Sequence, residues 1–241
     1  MTQLLAEVIE AHGGMARWQE TARIRASVSA TGGLFTAKGH PDTLADVEVE
    51  VSCHQPRAIY TPFPAVGQTG IFQPSRVAIM SHDDAVLCTR TQPREAFSDP
   101  AASASWDDLS LLYFGGYAIW NYLCAPFFLN GPGFTVTEGD VWEEDGELWR
   151  RLQVTFPEGF PTHSRQQVFY VDEARQLRRL DYQADIMGGV PVAHYMSAPQ
   201  DCSGLRIPTQ RRAYPRGPDN QANKARCVVE VTLSNITLGC H

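Results

Sequence analysis

The sequence predicts a mainly β protein of successive antiparallel hairpins, with one helix at the amino terminus and a helical insert at mid-chain. Three observations predict this class. Most of the 241-residue chain consists of short runs in which apolar and polar residues alternate, as in half-buried strands. Clusters of turn-forming residues separate these runs. Two segments instead repeat apolar residues at intervals of three and four, as helices do. We expect a single domain over residues 1–241.

The amino-terminal segment predicts an amphipathic helix over residues 2–18. Its apolar residues, such as Leu4 and Val8, recur near every 3.6 positions, and the Gly13-Gly14 pair is expected to bend or end the helix. From residue 22 the period changes to two, which predicts a meander of strands. The expected strands cover residues 22–29, 47–51, 57–60, 68–72, 76–80 and 85–89.

The mid-chain segment, residues 106–128, is the most apolar part of the chain and shows no strand-like alternation. Its apolar residues repeat at three and four, and Pro126 is expected to stop the pattern. The interpretation is one or two buried helices packed against the sheet, with Gly115-Gly116 as a kink point. Strands then resume, with Asp145-Gly146 and Gly188-Gly189 as hairpin turns. These strands cover residues 134–138, 148–156, 164–171, 176–187, 190–197, 207–214 and 226–238.

Charge and composition exclude several classes of function. The formal net charge of -7 disfavours attraction to nucleic acid or to an anionic membrane surface. No run of 18 apolar residues occurs, so no membrane insertion is expected. The first residues contain Glu7 and Glu10 and lack the basic start and unbroken apolar run of a secretory signal. The expected location is therefore the cytoplasm.

The cysteines and motifs predict a protein without metal or cofactor. The six cysteines are scattered without a C-x-x-C pair, so we expect free thiols, mostly buried. The sequence contains no dinucleotide-binding glycine motif, P-loop, zinc-protease motif or serine-hydrolase elbow. What remains is acid–base chemistry without a cofactor, or simple binding.

The order of elements resembles the lipoprotein-carrier (LolA-like) group of half-barrel folds. This resemblance implies a strongly curved antiparallel sheet wrapped around the amino-terminal helix and the mid-chain insert, with an apolar cavity between them. The expected absence of a signal peptide and of a lipidated cysteine near the amino terminus means that the carriers' export role does not transfer. A cytoplasmic enzyme of violacein biosynthesis is similar in architecture and works without a cofactor. The fold therefore supports carriers and catalysts alike.

Residues 161–197 form three predicted strands whose registers place side chains on two faces. With turns at residues 172–176 and at Gly188-Gly189, Val168 lies opposite Leu180, and Ala184 lies opposite Ala193. One face then predicts core, or the aromatic wall of a pocket. It consists of Val168, Tyr170, Leu180, Tyr182, Ala184, Ile186 and Tyr195.

The other face places His163 across from Asp185, and His194 across from Gln183. It also contains Arg165, Gln167, Arg179 and Asp181. A carboxylate that fixes the tautomer of an imidazole is typical of general acid–base catalysis. The alternative is that this face is the solvated outside of the sheet, where alternating charges are expected.

The mid-chain helix presents a stripe of aromatic and amide groups. Tyr113, Tyr117 and Asn121 lie at i, i+4 and i+8, and Trp120 lies beside them. Tyrosine can donate, accept or stack, which suits an aromatic or polyketide-like ligand. The alternative is ordinary core packing, in which the buried amide must still find partners.

The leading hypothesis is a cofactor-independent lyase, isomerase or cyclase that acts on a hydrophobic, aromatic or polyketide-like small molecule in secondary metabolism. The candidate catalytic residues are His163 or His194 as base, Asp185 or Asp181 as orienting carboxylate, and Tyr182, or alternatively Tyr117, as oxyanion donor. The candidate substrate-binding residues are Tyr113, Tyr117, Trp120, Asn121, Arg165, Tyr170 and Tyr195.

Two other functions stay open. A cytosolic carrier would shield a hydrophobic ligand without chemistry, in a pocket lined by tyrosine, tryptophan and leucine. An assembly module would instead expose an apolar patch around Phe127-Phe128 and have no closed cavity. The oligomeric state is also open, and a homodimer is among the states that the sequence allows.

Overall fold

Thirteen antiparallel strands form one sheet in the computed structural model, which describes residues 1–98 and 104–240. The helices are α1 (Gln3–Ala11), α2 (Gly14–Glu20), α3 (Gly33–Ala37) and α4 (Asp108–Cys124), with 3-10 turns at Pro93–Phe97, Phe127–Asn130 and Asp185–Met187. The strands are β1 (Thr21–Thr31), β2 (Val47–Ser52), β3 (Ala58–Thr61), β4 (Gln68–Gln73), β5 (Arg76–Ser81), β6 (Val86–Thr91), β7 (Thr135–Glu144), β8 (Glu147–Thr155), β9 (Gln166–Val171), β10 (Leu177–Ala184), β11 (Val190–Cys202), β12 (Leu205–Pro215) and β13 (Val229–Cys240).

The strand order shows why α4 lies inside the sheet. Strands β1 to β6 run outward in sequence on one side of a central β1–β13 pair, and β13 back to β7 runs outward on the other side. The two edge strands, β6 and β7, are therefore consecutive in the chain, and α4 connects them. A sheet that curls around this connection forms a half-barrel, and β6 and β7 are not paired with each other among the described residues. The predicted mainly β, curved architecture is confirmed.

Helix α4 is one continuous, almost completely buried helix. The Asp107 side chain caps its first turn by accepting a hydrogen bond from the Ser110 N–H at 2.8 Å, and the helix ends before Pro126. The predicted stop at this proline is confirmed. The helix continues through Gly115-Gly116, and a Cβ atom on Gly116 would lie 2.3 Å from Phe72 of β4. Glycine is needed there because the helix approaches the sheet closely.

The amino-terminal helix breaks at the glycine pair, as the sequence predicts. Gly13 has φ 117°, in the left-handed region, and separates α1 from α2. The apolar face of α1 is buried, while Glu7 on its other face pairs with Arg150 at 3.4 Å and with Arg175 at 2.6 Å. These ion pairs join α1 to β8 and to the β9–β10 turn. The helix therefore covers one end of the half-barrel.

The short helix α3 lies at another rim of the sheet and was not predicted from the sequence. The Leu34 N–H donates to the Val228 carbonyl at 3.0 Å, which ties α3 to the segment just before β13. Five residues are too few for a periodic pattern to show. This helix forms part of the mouth of the cavity described below.

The predicted registers of the carboxyl-terminal strands are wrong. Leu180 pairs with Phe169 instead of Val168, because an irregularity between Leu177 and Arg179 shifts the β9–β10 ladder by one residue. The 3-10 turn Asp185–Met187 ends β10 early, so Ala193 pairs with Asp181 instead of Ala184. Both shifts are odd, so they exchange side chains between the two faces. This exchange decides which residues meet.

Candidate functional site

A group of polar side chains lies inside the half-barrel between α4 and the carboxyl-terminal strands. We call this group the inner cluster. It comprises Tyr117 and Tyr122 of α4, His163 before β9, Tyr182 of β10, His194 of β11 and Arg211 of β12. All six side chains are buried. Buried polar groups normally need partners, so the hydrogen bonds of this cluster are informative.

His163 lies between two tyrosines and stacks on a third. The Tyr117 hydroxyl lies 3.1 Å from His163 Nδ1, and the Tyr122 hydroxyl lies 3.2 Å from Nε2. The Tyr182 ring stacks on the imidazole at 4.1 Å. Burial, followed by the nearby charge of Arg94, lowers the pKa of His163 to about 3. The imidazole is therefore neutral, with one nitrogen donating to one hydroxyl and the other accepting from the second.

His194 is buried without a hydrogen bond. It is 1% exposed, and neither ring nitrogen has a hydrogen-bond partner among the described residues. Its ring lies edge-on against Tyr122 at 4.7 Å. Burial, followed by the charges of Arg211 and His163, lowers the pKa of His194 well below 6.5. His194 therefore offers one free N–H and one free acceptor nitrogen to this part of the interior.

Arg211 is a buried cation without a carboxylate partner. It is 3% exposed, and its Nη2 donates to the backbone carbonyl of Tyr122 at 2.6 Å. Its guanidinium carbon lies 4.6 Å from the centre of the Tyr122 ring, within reach of a cation–π interaction. Nε has no hydrogen-bond partner, and no ion pair links Arg211 to a carboxylate within residues 1–98 and 104–240. Burial lowers the pKa of Arg211 to about 10, so it is charged at neutral pH.

An apolar cavity of about 400 Å³ opens next to the inner cluster. We call it the mouth cavity. Its rim includes Leu34 of α3, Val190 and Val228, and Tyr122 and Tyr182 line it as well. A narrower apolar space along α4 shares Phe114 and Tyr122 with it. Tyr122 thus borders both the apolar cavity and the polar cluster.

A second buried group, the outer cluster, lies on the opposite face of the same strands. Arg179 is 0% exposed, with Nε 2.7 Å from Asp181 Oδ1 and Nη1 2.8 Å from Glu144 Oε2. The Tyr170 hydroxyl donates to Asp181 at 2.7 Å, and the Tyr195 hydroxyl donates to Glu144 at 2.7 Å. The tyrosines that the sequence placed on one face therefore lie on two. Tyr170 and Tyr195 belong to the outer cluster, and Tyr182 belongs to the inner cluster.

The predicted pairing of a histidine with an aspartate is not formed. The Asp185 N–H donates to the His163 carbonyl at 3.0 Å, so the two backbones are neighbours as expected. The side chains diverge, because the half-exposed Asp185 carboxylate pairs with Arg94 at 3.0 Å. The other candidate carboxylate, Asp181, belongs to the outer cluster. Arg165 is exposed, and its Nε donates to the Phe156 carbonyl at 3.3 Å.

Most of the helical stripe serves packing. Trp120 Nε1 donates to the Ser52 carbonyl at 2.7 Å and its ring stacks on Phe128 at 5.4 Å. Tyr113 packs on Phe72 at 5.8 Å. Asn121 satisfies its amide by donating to the carbonyls of Tyr117 at 2.7 Å and Pro161 at 2.9 Å. Of the stripe, only Tyr117 joins the inner cluster.

Sequence reasoning missed two members of the inner cluster, Tyr122 and Arg211. Tyr122 lies one position beyond the i, i+4, i+8 stripe, so the spacing did not select it. Arg211 does have a signal: it alternates in phase with the buried Ile207 and Ala213, whereas its neighbour Arg212 is exposed. An arginine in the apolar phase of a strand indicates a buried charge.

The described residues form neither a metal site nor a membrane-spanning helix. Within the two described ranges, no three His, Cys, Asp or Glu side chains come together as a group that could hold a metal ion. No described helix has the length and apolar character needed to cross a membrane. All six cysteines are unpaired, three of them buried and three exposed, whereas we had expected most to be buried.

The sequence matches no protein-family model and no curated protein. Solved structures do match. A LolA superfamily protein from Nitrosomonas europaea aligns with a TM-score of 0.53 at 9% identity, covering 99% of this chain and 94% of the other. This chain has a LolA-like fold. A domain assigned to outer membrane lipoprotein sorting in Vibrio parahaemolyticus aligns with a TM-score of 0.55 at 9% identity, covering 98% and 91%. A DUF1329 family protein from Desulfovibrio piger aligns with a TM-score of 0.51 at 12% identity, also covering 98% and 91%.

These LolA-like neighbours confirm the resemblance seen in the element order. At such identities the likeness shows the fold alone. The function has to be argued from the mouth cavity and the inner cluster.

Proposed function

We propose that this LolA-like chain binds a hydrophobic small molecule in the mouth cavity. The supporting observation is the cavity itself: its volume of about 400 Å³ lies within the range of about 300–1,000 Å³ typical of small-molecule sites. Its lining is mostly apolar, with the exposed Arg226 as its charged member, and Val190 is 46% exposed. Tyr122 and Tyr182 add a few polar atoms at the lining, which suits recognition of one polar feature on an apolar ligand.

Two further observations support a carrier or binding role. The Vibrio parahaemolyticus domain with the same fold is assigned to lipoprotein sorting, so the fold is compatible with handling an apolar cargo. The six unpaired cysteines suit a reducing compartment, which supports our proposal that the protein works in the cytosol.

The inner cluster favours binding over acid–base catalysis. A general base works best with a pKa near the operating pH, and burial lowers the pKa of His163 to about 3. His194 is shifted in the same direction. The candidate carboxylates Asp181 and Asp185 pair with arginines elsewhere, so neither imidazole has an acidic partner in the part of the chain that the structure describes. Both histidines are therefore weak bases in the closed interior.

A dye-binding measurement tests this proposal. Nile red is a neutral apolar dye whose fluorescence rises in apolar pockets. Ala37 of α3 is exposed and lines the mouth cavity, so Ala37→Trp places a large ring across the opening. We expect this variant to weaken dye binding by about tenfold or more, which corresponds to about 1.4 kcal/mol.

Thr36→Trp is the matched control, because Thr36 is exposed on the same helix but does not line the cavity. It should bind the dye as the wild type does. Absence of saturable binding to the wild type, or equal losses in the two variants, would exclude the mouth cavity as a ligand site.

A second candidate function, catalysis without a cofactor, is favoured by one observation. Neither ring nitrogen of His194 has a hydrogen-bond partner among the residues described, and the ring lies 4.7 Å from Tyr122, so a ligand that reached these nitrogens could exchange a proton there. The test is to recover the bound ligand and incubate it with the wild type and with His194→Gln. Conversion by the wild type alone supports catalysis, whereas recovery of the unchanged ligand from both proteins supports binding.

A further inference from the structure

The buried charge of Arg211 lacks a partner of opposite charge. Burying an ion is strongly unfavourable unless a counter-ion and hydrogen bonds compensate for the lost water. Within the described ranges Arg211 has only the Tyr122 carbonyl and the face of the Tyr122 ring as partners, and its Nε is unpartnered there. Another buried position on the same face of β12 is occupied by an aliphatic side chain, Ile207. The charge itself therefore calls for an explanation.

Arg211 lies close to the mouth cavity, where a bound ligand could supply the missing negative charge. Ala213 lines the cavity, and Arg211 lies two residues further along β12 on the same face, about 7 Å deeper at the usual rise of a strand. His194, with its two free nitrogens, pairs directly with Ala213 across the β11–β12 ladder. The two unsatisfied side chains thus lie next to each other, just behind the inner end of the cavity.

We propose that the ligand is an amphiphile whose oxyanion head group binds Arg211 and His194 while its apolar part occupies the mouth cavity. This inference rests on the proposed function, because it specifies the ligand of the same cavity. A carboxylate or phosphate matches the donor geometry of a guanidinium, and a neutral imidazole can donate one further N–H to the same group. Such a head group would supply the missing negative charge.

Tyr122 separates the two parts of this binding site. Its ring borders the mouth cavity, lies under the Arg211 guanidinium and contacts His194. The space beside Arg211 behind it, also bordered by His163 and Gln167, amounts to about 10 Å³, close to the volume needed for one water. Entry of a head group therefore requires the Tyr122 side chain to turn aside.

Calorimetric titration with ligands of equal chain length tests the head-group site. Decanoate and decan-1-ol have the same apolar tail and differ in charge. We expect the wild type to bind decanoate roughly tenfold to hundredfold tighter, as one charge-assisted hydrogen-bonded pair would give. Decyl phosphate is the third probe. A preference for decanoate over decyl phosphate assigns a carboxylate head group, and the reverse preference assigns a phosphate; either result supports the inference.

Two arginine variants locate the effect. Arg211→Gln should bind decanoate and decan-1-ol about equally. Arg212→Gln should keep the wild-type preference, because Arg212 is exposed and pairs with Glu230 on the other face. Loss of the preference in both variants would indicate a general surface-charge effect and overturn the inference.

The wild-type comparison can still overturn the inference if Arg211→Gln fails to fold. Equal affinity for decanoate and decan-1-ol overturns the oxyanion site and leaves the apolar cavity supported. If neither probe binds, the head-group inference is also overturned, and the Nile red measurement decides separately whether the cavity binds ligands at all.

Discussion

Two arginines on neighbouring parts of one sheet are both buried, but only one of them is paired with carboxylates among the described residues. Arg179 on β10 faces the outer cluster, and Arg211 on β12 faces the inner cluster. Arg179 is bonded to two carboxylates, Asp181 and Glu144, and its Nη2 also donates to the Asn220 carbonyl at 2.5 Å. Arg211 is bonded to one backbone carbonyl.

The partners of the two arginines suggest different roles: Arg179 stabilises the fold, and Arg211 is the charge that we propose binds a ligand. In the outer cluster each carboxylate also accepts a tyrosine hydroxyl, so the charges and hydrogen bonds are satisfied within the protein. In the inner cluster Arg211 and His194 keep unsatisfied polar atoms. Burial alone therefore does not identify a functional side chain. Our proposal rests instead on unsatisfied buried polar atoms beside a cavity.

The largest expected effect comes from removing the outer arginine. Arg179→Met removes the buried cation between Asp181 and Glu144 and leaves these carboxylates only the more exposed Arg216 at 3.7 Å and Lys224 at 3.1 Å. The free energy of unfolding should therefore fall by about 3 kcal/mol, measured by urea denaturation. Arg178→Met is the control, because Arg178 is 36% exposed and its partners Asp172 and Glu147 are 14% and 55% exposed, so solvent screens these ion pairs more than those of Arg179. That variant should lose no more than about 1 kcal/mol. Equal, small losses in both variants would show that the outer cluster is not a structural network.

The two clusters should also lose stability in different pH ranges. The pKa of His163 in the folded protein is about 3 against 6.5 when unperturbed, so the unfolded chain binds the proton more readily. The contribution of His163 to the free energy of unfolding is therefore complete above pH 6.5 and is lost as the pH falls from 6.5 towards 3. Burial would raise the pKa of Glu144, but hydrogen bonds from Trp142, Tyr195 and Lys224 lower it below 4.5 overall. The contribution of Glu144 is therefore lost only at lower pH.

The measurement is urea denaturation at pH 6.5 and at pH 4.5. We expect His163 to contribute about 2 kcal/mol to the loss of stability between these pH values. His163→Gln, which keeps a donor and an acceptor but does not titrate, should therefore lose about 2 kcal/mol less than the wild type over this range. An unchanged pH dependence in the variant would mean that the pKa of His163 is not lowered in the folded protein.

Much of the fold could be predicted from the sequence, because alternation and helical spacing are local signals. The strands on both sides of α4, the break at Gly13-Gly14 and the turn at Asp145-Gly146 were all visible in the pattern. The site was harder, because it depends on register. The irregularity between Leu177 and Arg179 and the turn at Asp185–Met187 shift the ladders by odd numbers of residues, and alternation contains no information about such shifts.

Tyr122, the residue missed on α4, illustrates a second limit. Because this helix is buried on nearly every side, its apolar periodicity does not indicate which face meets the polar strands. Tyr117 and Tyr122 lie five positions apart and both reach His163, whereas Tyr113 packs elsewhere. Only the packing of the sheet around α4 selects these two tyrosines.

The smallest expected effect on stability belongs to the inner arginine, and it tests the comparison most directly. Arg211→Met removes one hydrogen bond to the Tyr122 carbonyl, worth about 1 kcal/mol, but also removes a buried charge that no carboxylate compensates. The free energy of unfolding should therefore stay within about 1 kcal/mol of the wild type or rise. The same substitution at Arg179 should be strongly destabilising. If Arg211→Met instead loses as much as Arg179→Met, then Arg211 stabilises the fold through its contacts with Tyr122, and the distinction between the two arginines fails.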